Sequence, residues 1–274
     1  KTWKHTSASS LRLSPEEISI GESFWFIGSN ENNVHAWYYP PLQNQRNLPP
    51  LLVKSHSGPT AMARCGLDLE IQFWTSRGWA VVDVNYGGSS GFGRKYRDRL
   101  RGNWGVVDVE DCTKAAQVLI ASNKANKDCI AIMGSSASGF TALGCLLSTD
   151  IFKIAACKYA VTDLISMCNS THRFEEFYLD YLIGNIVSNY EKYIKRSPSE
   201  NVNKINVPLI LFHGLKDKVI SSEQSIAIKE ELLKRKIPVE INLFQEEGHG
   251  FKDGTIKVDV LKKTEAFFRK YLNT

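Results

Sequence analysis

The sequence lacks the features that would assign it to a membrane or to a nucleic acid. No apolar run in its 274 residues approaches the ~20 that a membrane-spanning helix needs. The polar stretch Lys1–His5 is followed by no apolar segment of the kind that secretory signals carry. The net charge of +5 is spread along the chain instead of forming a basic stripe with interleaved aromatic residues. We therefore expect neither a membrane nor a nucleic acid as a partner.

Closely spaced cysteine pairs are also missing. None of the six cysteines forms a C-x-x-C pair, and most lie inside apolar runs. This spacing predicts buried free thiols in a reducing, cytoplasmic compartment, and it favours neither a zinc site nor a redox pair. We accordingly expect no metal and no other cofactor. The six are Cys65, Cys112, Cys129, Cys145, Cys157 and Cys168.

From residue 50 onward, short apolar runs alternate with helical patterns. This alternation predicts an α/β fold with a mostly parallel sheet that helices cover on both faces. We count two strands in an opening hairpin, within 17–27 and at Val34–Tyr39, and six later ones, which gives eight. The later strands are predicted at Pro50–Lys54, Trp79–Val84, Cys129–Met133, Ile154–Tyr159, Pro208–Phe212 and Pro238–Phe244. The helices are predicted at Leu67–Ser76, Asp108–Ala121, Ala137–Leu147, Ser222–Lys236 and Lys257–Leu272.

Ser136 follows a predicted strand, at the point where a helix begins. It lies in the run Gly134-Ser135-Ser136-Ala137-Ser138-Gly139. A serine on such a turn, flanked by small residues, is typical of a nucleophile elbow with the pattern G-x-S-x-G. Gly134 fills the first glycine position, but Ser138 stands at the second. Taken alone, the run is also compatible with a glycine-rich strand–helix turn that has no chemistry.

Two further polar residues follow later strands. Asp217 comes after the strand that ends at Phe212, and His249 lies between two glycines after the strand that ends at Phe244. The carboxyl ends of parallel strands meet at one edge of a sheet, where active sites form. The order Ser136, Asp217, His249 is that of the α/β-hydrolase triad, in which the acid orients the imidazole. We therefore expect a serine hydrolase of the α/β-hydrolase fold.

Such a hydrolase needs two N–H donors for the oxyanion. The backbone N–H of Ala137, at a helix N-terminus directly after Ser136, is one candidate. The other is Gly58, in the loop after the strand at Pro50–Lys54, because glycine lets the backbone approach a substrate closely. A plain Gly-Pro turn is the alternative at that position.

Taken together, these motifs resemble the peptidase domain of the prolyl oligopeptidase family, especially its acylaminoacyl-peptidase and dipeptidyl-aminopeptidase-like members. The elbow stands where the family has G-G-S-A-G-G-Y-T, and Ser57 and Ser138 replace family glycines. If either position requires a positive φ, serine costs on the order of 1 kcal/mol there. The resemblance rests on Ser55–Thr60, Asp83–Gly93, Asn103–Asp111, Gly134–Thr141, Ser197-Pro198, His213-Gly214 with Asp217, and Glu247–Phe251.

The resemblance implies a serine peptidase that cleaves short peptides through an acyl-enzyme on Ser136. It also implies a hydrolase domain excised from a longer chain with an N-terminal β-propeller, and family members often form homodimers. We expect residues 1–40 to form an N-terminal extension and the opening hairpin, and residues 41–274 to form the catalytic domain. Two alternatives remain: a carboxylesterase-type hydrolase, and a hydrolase fold retained for binding with activity weakened by Ser57 and Ser138.

Apolar and aromatic residues in the stretch from Tyr159 to Tyr181 are candidates for an apolar substrate pocket. The alternative is the core of an ordinary amphipathic helix. Tyr86 is a further candidate substrate contact, although packing at a strand end is favoured for it. The candidates in the first group are Tyr159, Val161, Phe174, Phe177 and Tyr178.

Overall fold

The eight-stranded sheet is the central element of the structure. A computed structural model describes residues 13–43, 47–170 and 177–272. In these ranges the strands follow the order β1-β2-β4-β3-β5-β6-β7-β8 across one sheet. They are β1 (Glu22–Ile27), β2 (Asn33–Tyr39), β3 (Leu51–Ser55), β4 (Ala80–Asn85), β5 (Ile130–Ser135), β6 (Ile154–Lys158), β7 (Leu209–Gly214) and β8 (Val239–Phe244).

Strand direction divides the sheet into two parts. β1 pairs antiparallel with β2, and β2 pairs antiparallel with β4. Every pair from β4 through β3 to β8 is parallel. The prediction of an eight-stranded, mostly parallel sheet that opens with a hairpin is therefore confirmed.

Helices cover both faces of this sheet. The core on one face includes buried residues of α3, α4 and α8, and the core on the other includes residues of α1 and α9. No helix in the described ranges is both long enough and apolar enough to cross a membrane. The helices are α1 (Leu69–Thr75), α2 (Arg94–Arg97), α3 (Val107–Ala121), α4 (Ala137–Ser148), α5 (Leu164–Ser170), α6 (Tyr178–Leu182), α7 (Ile186–Arg196), α8 (Ser222–Lys234) and α9 (Gly254–Leu272).

The apolar strands are explained by burial on both faces. Successive side chains of a strand point to opposite faces, so Leu51 and Val53 of β3 join one core and Leu52 joins the other. All three are fully buried. Neither face can accept a polar residue in the middle of the strand, and polar side chains are therefore expected at its ends.

Local hydrogen bonds define where the helices begin. Asp68 precedes α1, and its carboxylate accepts from the backbone N–H of Glu70 at 2.9 Å. Ser221 precedes α8, and its hydroxyl accepts from the N–H of Glu223 at 3.3 Å. Both are side chains that satisfy otherwise unpaired N–H groups in the first turn of a helix.

One part of the predicted hairpin is wrong. Residues 17–20 were expected to begin a strand, but Pro15–Glu17 form a 3₁₀ turn and β1 starts only at Glu22. Pro15 fixes its own φ, and the N–H of Ser14 donates to the Glu17 carboxylate at 2.9 Å, which favours a turn. The side chain of Ile20 is 73% exposed, so this apolar residue contributes no core contact.

Candidate active site

Ser136 occupies a sharp turn between β5 and α4. Its backbone φ of 53° and ψ of −121° are unusual for a residue with a side chain. The surrounding backbone holds this conformation. The N–H of Ser136 donates to the carbonyl of Lys158 at 3.0 Å, and its own carbonyl accepts from the N–H of Phe140 at 3.1 Å.

Small residues are required around this turn. A Cβ atom on Gly134 would lie 2.1 Å from the carbonyl oxygen of Ser138, which is backbone and cannot move aside. A Cβ on Gly139 would lie 2.5 Å from the Cβ of Ala160 on the segment after β6. The two glycines of the elbow are therefore explained by close approach of neighbouring chain segments.

Ser57 and Ser138 stand where the family has glycine, but neither adopts a positive φ. The strain considered for these positions is therefore absent. Both side chains instead contact Ser135. The Ser138 hydroxyl accepts from the Ser135 N–H at 2.8 Å and lies 2.9 Å from its carbonyl oxygen. The Ser57 hydroxyl lies 2.9 Å from the same carbonyl oxygen.

Asp217, His249 and Ser136 form a continuous hydrogen-bonded chain. The Nδ1 atom of His249 lies 2.8 Å from Oδ2 of Asp217, and its Nε2 atom lies 2.9 Å from the hydroxyl oxygen of Ser136. An ionised carboxylate only accepts hydrogen bonds, so Nδ1 carries the hydrogen and Nε2 accepts from Ser136. The structure thus brings together the three residues that the sequence order singled out.

Asp217 is held in place by several donors. Its Oδ1 atom accepts from the N–H groups of Val219 at 2.8 Å and of Ile220 at 2.9 Å. Its side chain is fully buried. Burial opposes ionisation, but hydrogen bonds from His213, His249 and the two N–H groups outweigh it and hold the pKa of Asp217 well below its usual value. The carboxylate therefore stays ionised at neutral pH.

The loop that carries His249 is fastened by residues on both sides. The buried carboxylate of Glu247 accepts from the N–H groups of Lys252 at 2.8 Å and of Asp253 at 2.9 Å. Tyr159 packs edge-on against the His249 ring, with ring centres 4.9 Å apart, and against Phe251 at 5.1 Å. These contacts restrict the orientation of the imidazole.

The loop after β3 presents Gly58 with a φ of 80°, a value that glycine adopts without strain. Nδ1 of His56 lies 3.0 Å from the Gly58 carbonyl oxygen, which only accepts, so this nitrogen is the donor. Among the described residues, neither the N–H of Gly58 nor that of Ala137 donates to a protein acceptor. Both N–H groups are therefore available to a ligand.

Tyr86 does not reach the cleft. It is fully buried, its ring stacks on His56 with centres 4.4 Å apart, and its hydroxyl donates to the carbonyl of Pro59 at 2.9 Å. The expectation that Tyr86 contacts substrate is corrected, because the side chain supports the loop from behind. This agrees with the packing role that was favoured for it.

The other pocket candidates lie in different environments. Val161 is buried, and its N–H donates to the carbonyl of Ser136 at 3.4 Å. The hydroxyl of Tyr178 lies 2.8 Å from Oγ1 of Thr60 in the loop after β3. Phe177 is 74% exposed. Phe174 lies outside the described residues, and Tyr159 is the ring against His249 described above.

A charged cavity of about 370 Å³ next to the elbow was not anticipated. Lys158 pairs with Glu70 at 2.8 Å, and Lys54 pairs with Asp68 at 3.2 Å. Burial opposes the ionisation of Glu70, but Lys158 and Lys54 outweigh it and lower its pKa to about 2. The sequence feature that could have indicated this cavity is a charged residue near the end of an apolar strand, as at Lys54 and Asp83. In the described ranges no group of three or more His, Cys, Asp or Glu side chains is arranged so that it could hold a metal ion.

The chain matches one known protein family over most of its length. Residues 66–274 match the model of the prolyl oligopeptidase family. The chain belongs to that family. The predicted resemblance and the α/β-hydrolase fold are thereby confirmed.

Individual relatives of this prolyl oligopeptidase family member are much longer than the chain. A crystal structure of puromycin hydrolase matches with a TM-score of 0.93 and 36% identity, over 99% of this chain and 41% of that one. A Mycobacterium tuberculosis puromycin-hydrolyzing peptidase matches with a TM-score of 0.92 and 39% identity, over 96% and 42%. Dipeptidyl aminopeptidase BIII of Pseudoxanthomonas mexicana is 28% identical over 208 residues, which are 74% of this chain and 30% of that protein. The chain thus spans less than half the length of these relatives, which are named as peptidases or hydrolases.

Proposed function

We propose that this chain is the catalytic domain of a serine peptidase with Ser136 as its nucleophile. The observation that carries the proposal is the hydrogen-bonded chain from Asp217 through His249 to Ser136, with bonds of 2.8 and 2.9 Å. The unusual backbone conformation of Ser136 is a second support, because it exposes the hydroxyl at the elbow.

In this proposal His249 moves the proton in both directions. Nε2 accepts the hydroxyl proton as Ser136 attacks the scissile carbonyl, and Asp217 stabilises the imidazolium that forms. His249 then donates the proton to the leaving amine, the C–N bond breaks, and an acyl ester remains on Ser136. Water, deprotonated by His249, then attacks the ester. The C–O bond to Ser136 breaks, His249 returns the proton to the Ser136 oxygen, and the acid is released.

Charge that develops on the carbonyl oxygen needs fixed donors. We assign this role to the N–H groups of Ala137 and Gly58, neither of which has a protein acceptor within the described part of the chain. Ala137 lies in the first turn of α4, where the N–H groups of a helix point outward. Donors already in place at this position stabilise the transition state without reorganisation.

The substrates we propose are short peptides and related aminoacyl amides. The two structures named above are described as a puromycin hydrolase, at 36% identity, and a puromycin-hydrolyzing peptidase, at 39% identity. A curated relative is a dipeptidyl aminopeptidase. Puromycin therefore belongs in the substrate panel with aminoacyl and acylaminoacyl anilides. Val161 and Tyr178, which lie near Ser136 and the loop after β3, are our candidates for contacts with the acyl group.

A substrate panel and a covalent probe together test the proposal. We expect anilides to be turned over and a fluorophosphonate to label Ser136, with both activities lost in Ser136→Ala. Ser148→Ala, which removes a hydroxyl bonded to the Gly144 carbonyl in α4, is the matched control. Turnover of acyl esters without anilides would indicate a carboxylesterase. Absence of labelling in the unmodified protein would indicate a fold retained for binding.

The domain arrangement remains part of the proposal. We propose an N-terminal β-propeller in the native polypeptide, because the relatives that match are more than twice as long as this chain. We also propose that the native protein forms a homodimer and lies in the cytoplasm. The mass of the native gene product tests the propeller, and a product of 274 residues would contradict it.

A further inference from the structure

His213 is a buried histidine that the proposed mechanism does not use. It lies in β7, four residues before Asp217, and its side chain is fully buried. Its Nε2 atom lies 3.0 Å from the carbonyl oxygen of Ile220 and 3.4 Å from Oδ2 of Asp217. Its Nδ1 atom lies 2.8 Å from the hydroxyl oxygen of Ser225 in α8.

The partners of His213 determine where its hydrogen lies. The Ile220 carbonyl can only accept, so Nε2 must carry a hydrogen. The neutral ring then has its lone pair on Nδ1, which accepts from the Ser225 hydroxyl. Ser225 is 1% exposed and has this one side-chain partner among the described residues. The arrangement leaves no ring nitrogen of His213 unsatisfied.

Two imidazoles therefore face the same carboxylate oxygen. Nδ1–H of His249 donates to Oδ2 of Asp217 at 2.8 Å, and Nε2–H of His213 approaches that atom from the buried side at 3.4 Å. The second contact is longer than a normal hydrogen bond and acts through the N–H dipole. In a buried site such a dipole has a larger effect than it has in water.

We propose that His213, supported by Ser225, is a positioning residue that sets the orientation and the basicity of Asp217. It extends the hydrogen-bonded chain to Ser225–His213–Asp217–His249–Ser136. Its N–H stabilises the charge on Oδ2, so Asp217 attracts the protonated form of His249 less strongly than an unassisted carboxylate would. This inference rests on the proposed function, because it assigns Asp217 and His249 to the triad.

Few other charged groups lie close to His249 and His213 in the described ranges. Within the described ranges, the titratable side chains that contact His249 are Asp217 and Tyr159, besides the hydroxyl of Ser136. His213 faces Asp217 and the Ser225 hydroxyl. The other charged residues of the His249 loop are Glu246, Glu247, Lys252 and Asp253. None of them is changed in the variants described below.

The test is the pH dependence of fluorophosphonate labelling in the native polypeptide. Labelling requires neutral His249, so its rate falls on the acid side as the ring is protonated. His213→Leu removes the N–H, and Asp217 then stabilises protonated His249 more strongly. We expect the midpoint of the acid limb to move up by about half a pH unit. The plateau rate should fall about tenfold as Asp217 loses its support.

His213→Gln separates positioning from packing. Its side-chain N–H can occupy the place of Nε2–H, so the midpoint should return to the unmodified value. His35→Leu is the matched control, because His35 is also buried, lies 3.0 Å from a serine hydroxyl at Ser23, and is far from the triad in the sheet order. This variant should leave the midpoint unchanged.

The outcomes are distinct. An unmoved midpoint in His213→Leu, or the same shift in His213→Gln, overturns the inference and leaves His213 a packing residue. If His213→Leu does not fold, Ser225→Ala replaces it and should move the midpoint in the same direction by a smaller amount. An unmoved midpoint in that variant also overturns the inference. Absence of labelling in the unmodified protein contradicts the proposed function itself.

Discussion

The hydroxyl oxygen of Ser57 lies 2.7 Å from the hydroxyl oxygen of Ser135, so the loop after β3 is fastened to the residue before Ser136. Ser57→Ala removes this link and the bond to the Ser135 carbonyl. We expect labelling by a fluorophosphonate to slow about fivefold, the equivalent of about 1 kcal/mol for an exposed neutral hydrogen bond. Rates measured under pseudo-first-order conditions check this.

Ser122→Ala is the control for that variant, since Ser122 is exposed and its hydroxyl bonds only to nearby backbone in the last turn of α3. It should label at the unmodified rate. An unchanged rate in Ser57→Ala would show that the loop holds its position without this contact.

Asp217→Asn tests the orientation of His249. An amide can donate to Nδ1 and thereby favour the tautomer in which Nε2 carries the hydrogen and cannot accept from Ser136. We expect kcat to fall by about 10⁴ with KM little changed. Steady-state kinetics on an anilide that the enzyme cleaves provide the measurement.

The exposed Asp150→Asn serves as the comparison for Asp217→Asn. Circular dichroism should show both variants folded, because Asn keeps an oxygen for the N–H groups of Val219 and Ile220. A loss of less than tenfold in Asp217→Asn would argue against its place in the triad.

Gly134→Ala tests the close packing at the elbow. The added Cβ would lie 2.1 Å from the carbonyl oxygen of Ser138, so β5 and α4 must separate locally. We expect Ser136 labelling to be lost and Tm to fall by several degrees. Gly66→Ala, where the added Cβ meets no atom within 4 Å, should change neither. Retained labelling in Gly134→Ala would mean that the turn tolerates a side chain.

The buried Asp108 should make the stability of the fold depend on pH. It is fully buried, and burial raises its pKa to about 6 despite hydrogen bonds from Thr141 and from the N–H of Gly105. The folded state therefore binds a proton that the unfolded chain has released above pH ~4. The contribution of Asp108 to the free energy of unfolding is therefore fully present below pH ~4. It is lost as the pH rises through about 6.

Asp108→Asn removes this titration. The unfolding free energy of the unmodified protein, relative to this variant, should fall by about 2 kcal/mol between pH 4 and 6. Urea unfolding at several pH values gives the difference. The exposed Asp150→Asn should show no such trend. A constant difference for Asp108→Asn would mean that Asp108 is already ionised in the folded protein at the lower pH.

Local patterns in the sequence predict the strands and much of the site. Burial on both faces makes each parallel strand a short apolar run, as at Leu51–Ser55, and the chain returns to the same sheet edge after each one. The order Ser136, Asp217, His249 therefore indicated residues that are brought together in space. The strand order across the sheet was not predicted, because pairing is decided by contacts between distant segments.

Other features depended on contacts that no local pattern contains. The burial of Tyr86 follows from the stacked ring of His56 and the carbonyl of Pro59, which lie 27 or more residues away. The hydrogen bond of Ser57 to Ser135 likewise appears only when β3 and β5 are neighbours. The helix α6 between β6 and β7 has five residues, which are too few for a periodic signal.

His249 follows β8, which among the described strands is the last of the sheet and pairs with β7 alone. The side chains of β8 are half-buried or exposed, whereas those of the central strand β4 are all buried. Edge elements with few buried contacts open at a lower free energy than central ones. Detachment of β8 alone would displace His249, the proposed general base, while the centre of the sheet stays folded. Inactivation on heating should then precede global unfolding, and we expect this one strand to set the upper working temperature.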